Sequence, residues 1–206
     1  IFAALRRREV FGTSGPRIQA RFFGGWDYPD GLCAADDRLE KADRAGVPMG
    51  ADLPATNRDG APVFLALALA DPGTAAHPGQ DLQRIQIIKG WVEKGKAHEK
   101  VFEVAGGANG ATVDTKTCRT KGSESASLCS VWQDPEFDPD ERAFYYVRVL
   151  ENPTCRWSQQ LCVEAGVTCG EESTLKPGYE ACCMESIPKT VQERAWTSPI
   201  WYAPEP

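Results

Sequence analysis

Eight cysteines, two histidines and one run of spaced carboxylates are the residues whose types and spacing could do chemistry in this chain. The cysteines are Cys33, Cys118, Cys129, Cys155, Cys162, Cys169, Cys182 and Cys183. An even count at irregular spacing predicts disulfides and an oxidising compartment, hence a periplasmic or secreted protein. A structural zinc knuckle needs Cys-x-x-Cys, which the sequence lacks. The adjacent pair Cys182 and Cys183 predicts two bridges leaving in different directions. The favoured local bridge joins Cys118 to Cys129 and closes the loop 119–128 ahead of Val131. The cysteines from Cys155 to Cys183 are odd in number, so one needs a distant partner, and Cys33 is left for it.

Catalytic patterns are scarce. His77 falls in a loop and His98 lies beyond a turn among lysines and glutamates. Neither has a ligating neighbour, and both read as surface residues. No Gly-x-Ser-x-Gly elbow is present. Residues 134–140, Asp-Pro-Glu-Phe-Asp-Pro-Asp, read as a proline-spaced turn rather than a calcium loop. The glycine-rich stretch 106–110 lacks the Gly-Lys-Ser/Thr ending of a phosphate loop. Arg6, Arg7 and Arg8 suit the carbonyl end of a helix better than an anion site. Trp26, Trp91, Trp132, Trp157, Trp196 and Trp201 could form a sugar-stacking platform; the reading adopted is that they fill a core.

The elements that must position these residues are mostly strands. Residues 1–8 read as the end of an amphipathic helix, with Ile1, Ala4, Leu5 and Arg8 on one side. No capping residue precedes it, and no signal-peptide pattern is seen, so the chain is expected to be a piece of a larger protein. Residues 9–12 form a short strand and 13–16 a turn. Residues 17–23 alternate, with Ile18, Ala20 and Phe22 on one face, until Gly24 and Gly25 break the strand. Residues 36–45 predict a short helix stopped by Gly46 and Pro48. Residues 63–70 are apolar on both faces and predict a central strand. Residues 84–92 and 99–105 form a hairpin about the turn 93–96. Residues 141–151 make the clearest strand, with Ala143, Tyr145, Val147 and Val149 facing one way. Residues 156–165 predict a short helix. Residues 195–202 form a last strand in which Pro199 marks an edge or a bulge.

The class is accordingly mainly β, an antiparallel β-sandwich with few short helices. Lys+Arg 23 against Asp+Glu 29 leaves a net charge of −6, which argues against a nucleic-acid partner. No apolar run reaches the ~18 residues of a membrane span.

Several stretches together resemble a known family. They are residues 4–18 (Ala-Leu-Arg-Arg-Arg-Glu-Val-Phe-Gly-Thr-Ser-Gly-Pro-Arg-Ile), 21–26 (Arg-Phe-Phe-Gly-Gly-Trp), 46–50 with 52–54, 84–91, 143–151 and 192–202. The set looks like the C-terminal third of the bacterial domain-of-unknown-function family 3604, which is similar to the PHP superfamily of metal-dependent hydrolases. The resemblance implies a distorted (β/α) barrel upstream, carrying a His-rich divalent-metal site that activates water against a phosphate-type or related ester. Residues 1–16 would be the last helix and strand of that PHP-like barrel, and residues 17–206 a disulfide-stapled β-sandwich. No metal ligand can be assigned in this chain, so no cofactor is expected here and the divalent metal belongs to the missing part. Thr13, Ser14 and Arg17 would lie near the barrel rim as substrate-binding residues, Arg17 pairing with an anion. The alternative is that 14–16 merely turn the chain while Arg17 is exposed or in a salt bridge. The resemblance thus implies the C-terminal portion of an exported metallohydrolase, inactive alone. Its partner is the upstream barrel of the same protein or a separate chain that supplies it. The rival reading is a secreted sandwich that binds a glycan or a protein.

Overall fold

A computed structural model describes residues 1–54, 60–75, 77–122, 125–171 and 174–204. Helix α1 (Phe2–Arg6) leads into β1 (Phe11–Thr13) and β2 (Gln19–Gly25). A 3-10 turn (Asp30–Ala34), α2 (Arg38–Ala45), β3 (Gly46–Pro48), β4 (Val63–Leu69), β5 (Leu82–Glu93) and β6 (Lys96–Gly106) follow. Next come β7 (Thr112–Asp114), β8 (Arg119–Lys121), β9 (Ser127–Gln133) and β10 (Ala143–Glu151). The last elements are β11 (Thr154–Cys155), α3 (Trp157–Glu164), a 3-10 turn (Glu180–Cys183), β12 (Thr190–Val191), β13 (Arg194–Thr197) and β14 (Ile200–Tyr202).

Two antiparallel sheets make the body of the molecule. One runs β1-β13-β10-β5-β6, with β14 also on β10; the other runs β3-β2-β4-β9. Alternation along β10 buries Ala143, Tyr145, Val147 and Val149. They meet Ile18, Ala20, Phe22, Phe64 and Ala66 of the opposite sheet in one apolar core. Phe64 touches both sheets' rings, with centroids 5.4 Å from Phe22 and 4.5 Å from Tyr145. Each such large side chain contributes about 1.5–3 kcal/mol on burial. The remaining face of β4 is covered as well. Val63 and Leu65 pack with Phe23, Tyr28, Leu32 and Ala42, supplied by β2 and the helical excursion after it. This third layer explains why the strand is apolar on both sides.

The hairpin forms as expected. Glu93 pairs with Lys96, leaving Lys94 and Gly95 as the two-residue turn, both at positive φ (48° and 76°). That is the I′ geometry whose twist matches the strands. Pro199 does mark a bulge: Trp196 pairs with Arg148 and Ile200 with Tyr145, so Ser198 and Pro199 together stand opposite Tyr146.

Four expectations are corrected. Gly24 and Gly25 do not end β2; they pair with Val47 and Gly46 of β3. Their lack of a side chain serves close packing, since a Cβ on Gly24 would sit 3.0 Å from the Phe64 ring. The strand at the start of the chain lies in the sandwich, where β1 pairs with β13. The tryptophans fill the core only in part: Trp91 and Trp132 are half-buried and pack against it, Trp26 is half-buried, and Trp157, Trp196 and Trp201 are exposed. The register of β13 and β14 turns the last two outward, beside Arg148 and Phe144.

The fourth correction concerns cysteine pairing. All eight form bridges, but Cys118 does not join Cys129. Cys129 shares a face of the four-stranded sheet with Val131, where the excursion carrying Cys33 packs, and Cys33 is its partner. Cys118 stands in the turn between β7 and β8 and bridges to Cys155 of β11. Cys162 pairs with Cys182 and Cys169 with Cys183, so the adjacent cysteines do reach apart. Sequence proximity gave way to which face each side chain occupies.

A buried ion pair is drawn into the sandwich. Lys89 continues the inward stripe of β5 and is buried, with Nζ 2.7 Å from the Asp134 carboxylate, itself buried. Tyr145 Oη donates to the same carboxylate at 2.7 Å, and Lys89 also donates to the Glu136 carbonyl at 2.6 Å. Burial, with Asp134 beside it, pushes the Tyr145 phenol far up. The 134–140 turn is therefore an anchor for a buried ion pair.

Candidate functional site

The alternation of β10 does not stop at Val149. Its next inward position is Glu151, a residue only 2% exposed. The ladder shifts here: Leu150 pairs with Arg84 but Glu151 with Leu82, so Gln83 is an extra residue on β5. Bulges of this kind re-aim side chains and open sheet ends. The Glu151 backbone is held by the segment before β13. Its N–H donates to the Glu193 carbonyl at 3.0 Å, and its carbonyl accepts Gln192 Nε2 at 2.9 Å. The side chain is not so held. Oε1 is buried and has no hydrogen-bond partner among the described residues. Burial, reinforced by Glu193, Asp71 and Asp81, pushes its pKa up to about 7.

Glu151 lines a cleft of about 410 Å³ at this end of the sandwich. Asp71, His77, Glu193, Gln160 and Trp157 line it as well, with the Cys118–Cys155 bridge in one wall. The loop carrying Asp71 is built tightly. A Cβ on Gly79 would stand 1.7 Å from the Asp71 carbonyl oxygen, so only glycine fits. Asp71 accepts from the Arg17 N–H at 2.7 Å, the Gly73 N–H at 2.8 Å and the Arg17 guanidinium at 3.1 Å. Those backbone donors first, and the guanidinium after them, hold its carboxyl down to about 2.

Of the three expected substrate-binding residues, Arg17 and Ser14 bond to side chains that line this cleft, though neither lines it. Arg17 is spent on Asp71 in a salt bridge. Ser14 Oγ donates to the Glu193 carboxylate and accepts the Arg194 N–H at 2.9 Å. Thr13 lies in β1 opposite Ala195, outside the cleft lining. With no lysine or arginine among the described lining residues, the cleft is acidic. It suits a cation rather than a phosphate ester. Glu151 escaped the sequence reading, although extending the 143, 145, 147, 149 stripe by one step would have found it. Neither histidine joins a ligand set: His77 is exposed and His98 stacks on Trp91 at 5.3 Å. Among the described residues no group of three or more His, Cys, Asp or Glu is placed to hold a metal ion. The described donors therefore do not converge on a metal-binding point.

A second concavity, of about 540 Å³, lies where β5, β10 and β14 meet and is lined by Trp91, Phe144, Trp201, Arg8 and Arg142. Its floor depends on Gly90, where a Cβ would be 2.3 Å from the Phe144 ring. Phe144 packs on Trp201 at 5.2 Å and on Tyr146 at 6.4 Å, forming an aromatic row.

Fold and site define a mainly β, antiparallel domain stapled by disulfides, with an acidic cleft at one end of its sheets. Four bridges are compatible with an extracellular or periplasmic protein. Among the described residues no helix is long and apolar enough to cross a membrane. The chain belongs to the family described as "Protein of unknown function (DUF3604)", whose family model matches residues 1–204. No curated protein and no solved structure matches it significantly.

Proposed function

We propose that this chain is the C-terminal, non-catalytic portion of an exported, PHP-like metal-dependent hydrolase of phosphate-type or related esters. Its metal ligands lie upstream, in a (β/α) barrel of the same protein or of a partner chain. The sandwich braces that barrel or shapes its mouth. The observation that carries this reading is the uncovered face of α1. The helix buries none of its five residues; Phe2 and Leu5 within it, and Ile1 just before it, are exposed. An apolar helix left bare next to a finished sandwich calls for a second body to pack on it. The upstream barrel is that body.

The 206-residue chain, assayed on aryl phosphate and aryl sulfate esters with and without a chelator, is expected to show no turnover. Turnover that the chelator abolishes would overturn the reading. The intact mass of the unreduced protein from its native source is expected to exceed that of 206 residues several-fold.

The aromatic row favours a second reading, a secreted module that stacks a glycan on Phe144 and Trp201. Binding of a glycan panel, lost in Trp201→Ala, would bring that reading forward.

A further inference from the structure

We infer that the acidic cleft is a binding site for a guanidinium group, held by the Glu151 and Glu193 carboxylates and covered by the Trp157 ring. This inference is independent of the hydrolase reading.

Three observations point to it. A carboxylate oxygen of Glu151 is buried without a hydrogen-bond partner among the described residues. Leaving such an acceptor unsatisfied is unfavourable, so natural structures rarely do it without a use. The lining also lacks balancing charge. Arg17 answers Asp71, but no described cation pairs with Glu193 or Glu151. Finally, Trp157 is 72% exposed at the rim although it opens α3, where nothing in the helix requires an aromatic side chain.

Those groups select the ligand. A divalent ion needs several donors converging on a point, and the described residues offer no such group. A planar guanidinium presents five N–H donors in a fork, reaches two separated carboxylates and stacks on an indole face. The cleft, at about 410 Å³, has room for an arginine-sized side chain or small molecule. Gln160 adds a neutral partner on the wall. The Cys118–Cys155 bridge fixes that wall, so little ordering is needed on binding.

The test is calorimetric titration of the oxidised chain with agmatine and, separately, with a capped Gly-Arg-Gly peptide. Both are expected to bind. Equal affinities assign the group to a free small molecule, and tighter peptide binding assigns it to a side chain of a peptide. Glu151→Gln, nearly isosteric, is expected to weaken either ligand by ~10-fold or more, as loss of a charge-assisted bond does. Trp157→Ala is expected to weaken it roughly threefold or more. Thermal unfolding of each variant checks that it is folded, and Glu193→Gln replaces Glu151→Gln if the latter is not. Absence of binding by both ligands overturns the site. So does binding that Glu151→Gln leaves unchanged, or competition by calcium or magnesium alone at matched ionic strength.

Discussion

Glu151 sits in the folded chain with its pKa raised to about 7, against an ordinary 4.5 for glutamate. Between those values the folded state holds a proton that the unfolded chain releases. Its contribution to stability is therefore fully present below pH 4.5, falls as pH rises, and is lost once pH passes about 7. Glu151→Gln carries no such group. The variant is expected to gain on the wild type as pH rises from 5 to 8, by up to ~3 kcal/mol at the upper end. Urea unfolding of both proteins across that range is the measurement. A difference independent of pH would show that Glu151 is already ionised and solvated. Asp71 acts in the opposite sense. Its lowered pKa gives stability that is present above 3.8 and lost as pH falls toward 2. Glu151→Gln is thus expected to stabilise the chain above pH 7 while weakening the proposed guanidinium site, the exchange expected of a residue kept for binding.

At the scale of elements, closeness of backbone decides which glycines matter. A Cβ on Gly46 would lie 2.0 Å from Tyr28 Oη and 2.3 Å from the Gly24 carbonyl oxygen. Tyr28 donates to the Ala42 carbonyl at 2.8 Å, so one methyl group would disturb the β2–β3 pairing and the seat of α2 together. Gly46→Ala is expected to lose ~2–4 kcal/mol, seen as a lower urea midpoint at unchanged slope. Gly12→Ala in β1 is the control, since nothing lies within 4 Å of its added Cβ, and its effect is expected within ~0.5 kcal/mol. A Gly46→Ala variant as stable as Gly12→Ala would mean that β3 can move away freely.

For the whole molecule, the bridges divide the labour unequally. The sheets own the core, whereas the described residues of 156–189 bury little beyond Cys162 and Cys182. Helix α3 has eight residues, too few to persist alone. The Cys162–Cys182 and Cys169–Cys183 bridges, with separations of 20 and 14, both close within this segment and staple it to itself, while Cys118–Cys155 ties down the strand just before it. Cys33–Cys129 spans 96 positions, and closing a loop of that size is worth ~4–5 kcal/mol through the unfolded chain. Graded reduction followed by hydrogen exchange is expected to release 156–189 first, while β4, β5 and β10 stay protected. Simultaneous loss of protection everywhere would make the bridges a condition of the sandwich itself.

Much of this arrangement was legible in the residues. The 143–149 stripe, the two-residue turn at Lys94 and Gly95, the helix ending at Gly46 and the oxidised state of the cysteines rest on local periodicity and local chemistry, which act over a few neighbouring positions. Other features depend on which faces meet through space. Cys129 finds Cys33 because both point into the layer beneath β4, and no spacing along the chain carries that information. Ser14 and Arg17 were expected at a barrel rim only through the family resemblance, and their partners Glu193 and Asp71 arrive from 179 and 54 positions away. Glu151 lay on a readable stripe, yet its missing partner could be known only once the bulge at Gln83 and the walls of the cleft were assembled. Local patterning along the chain determined the strands and their inward faces. The tertiary structure alone decided the cleft, because a buried charge takes its meaning from groups that only folding brings beside it.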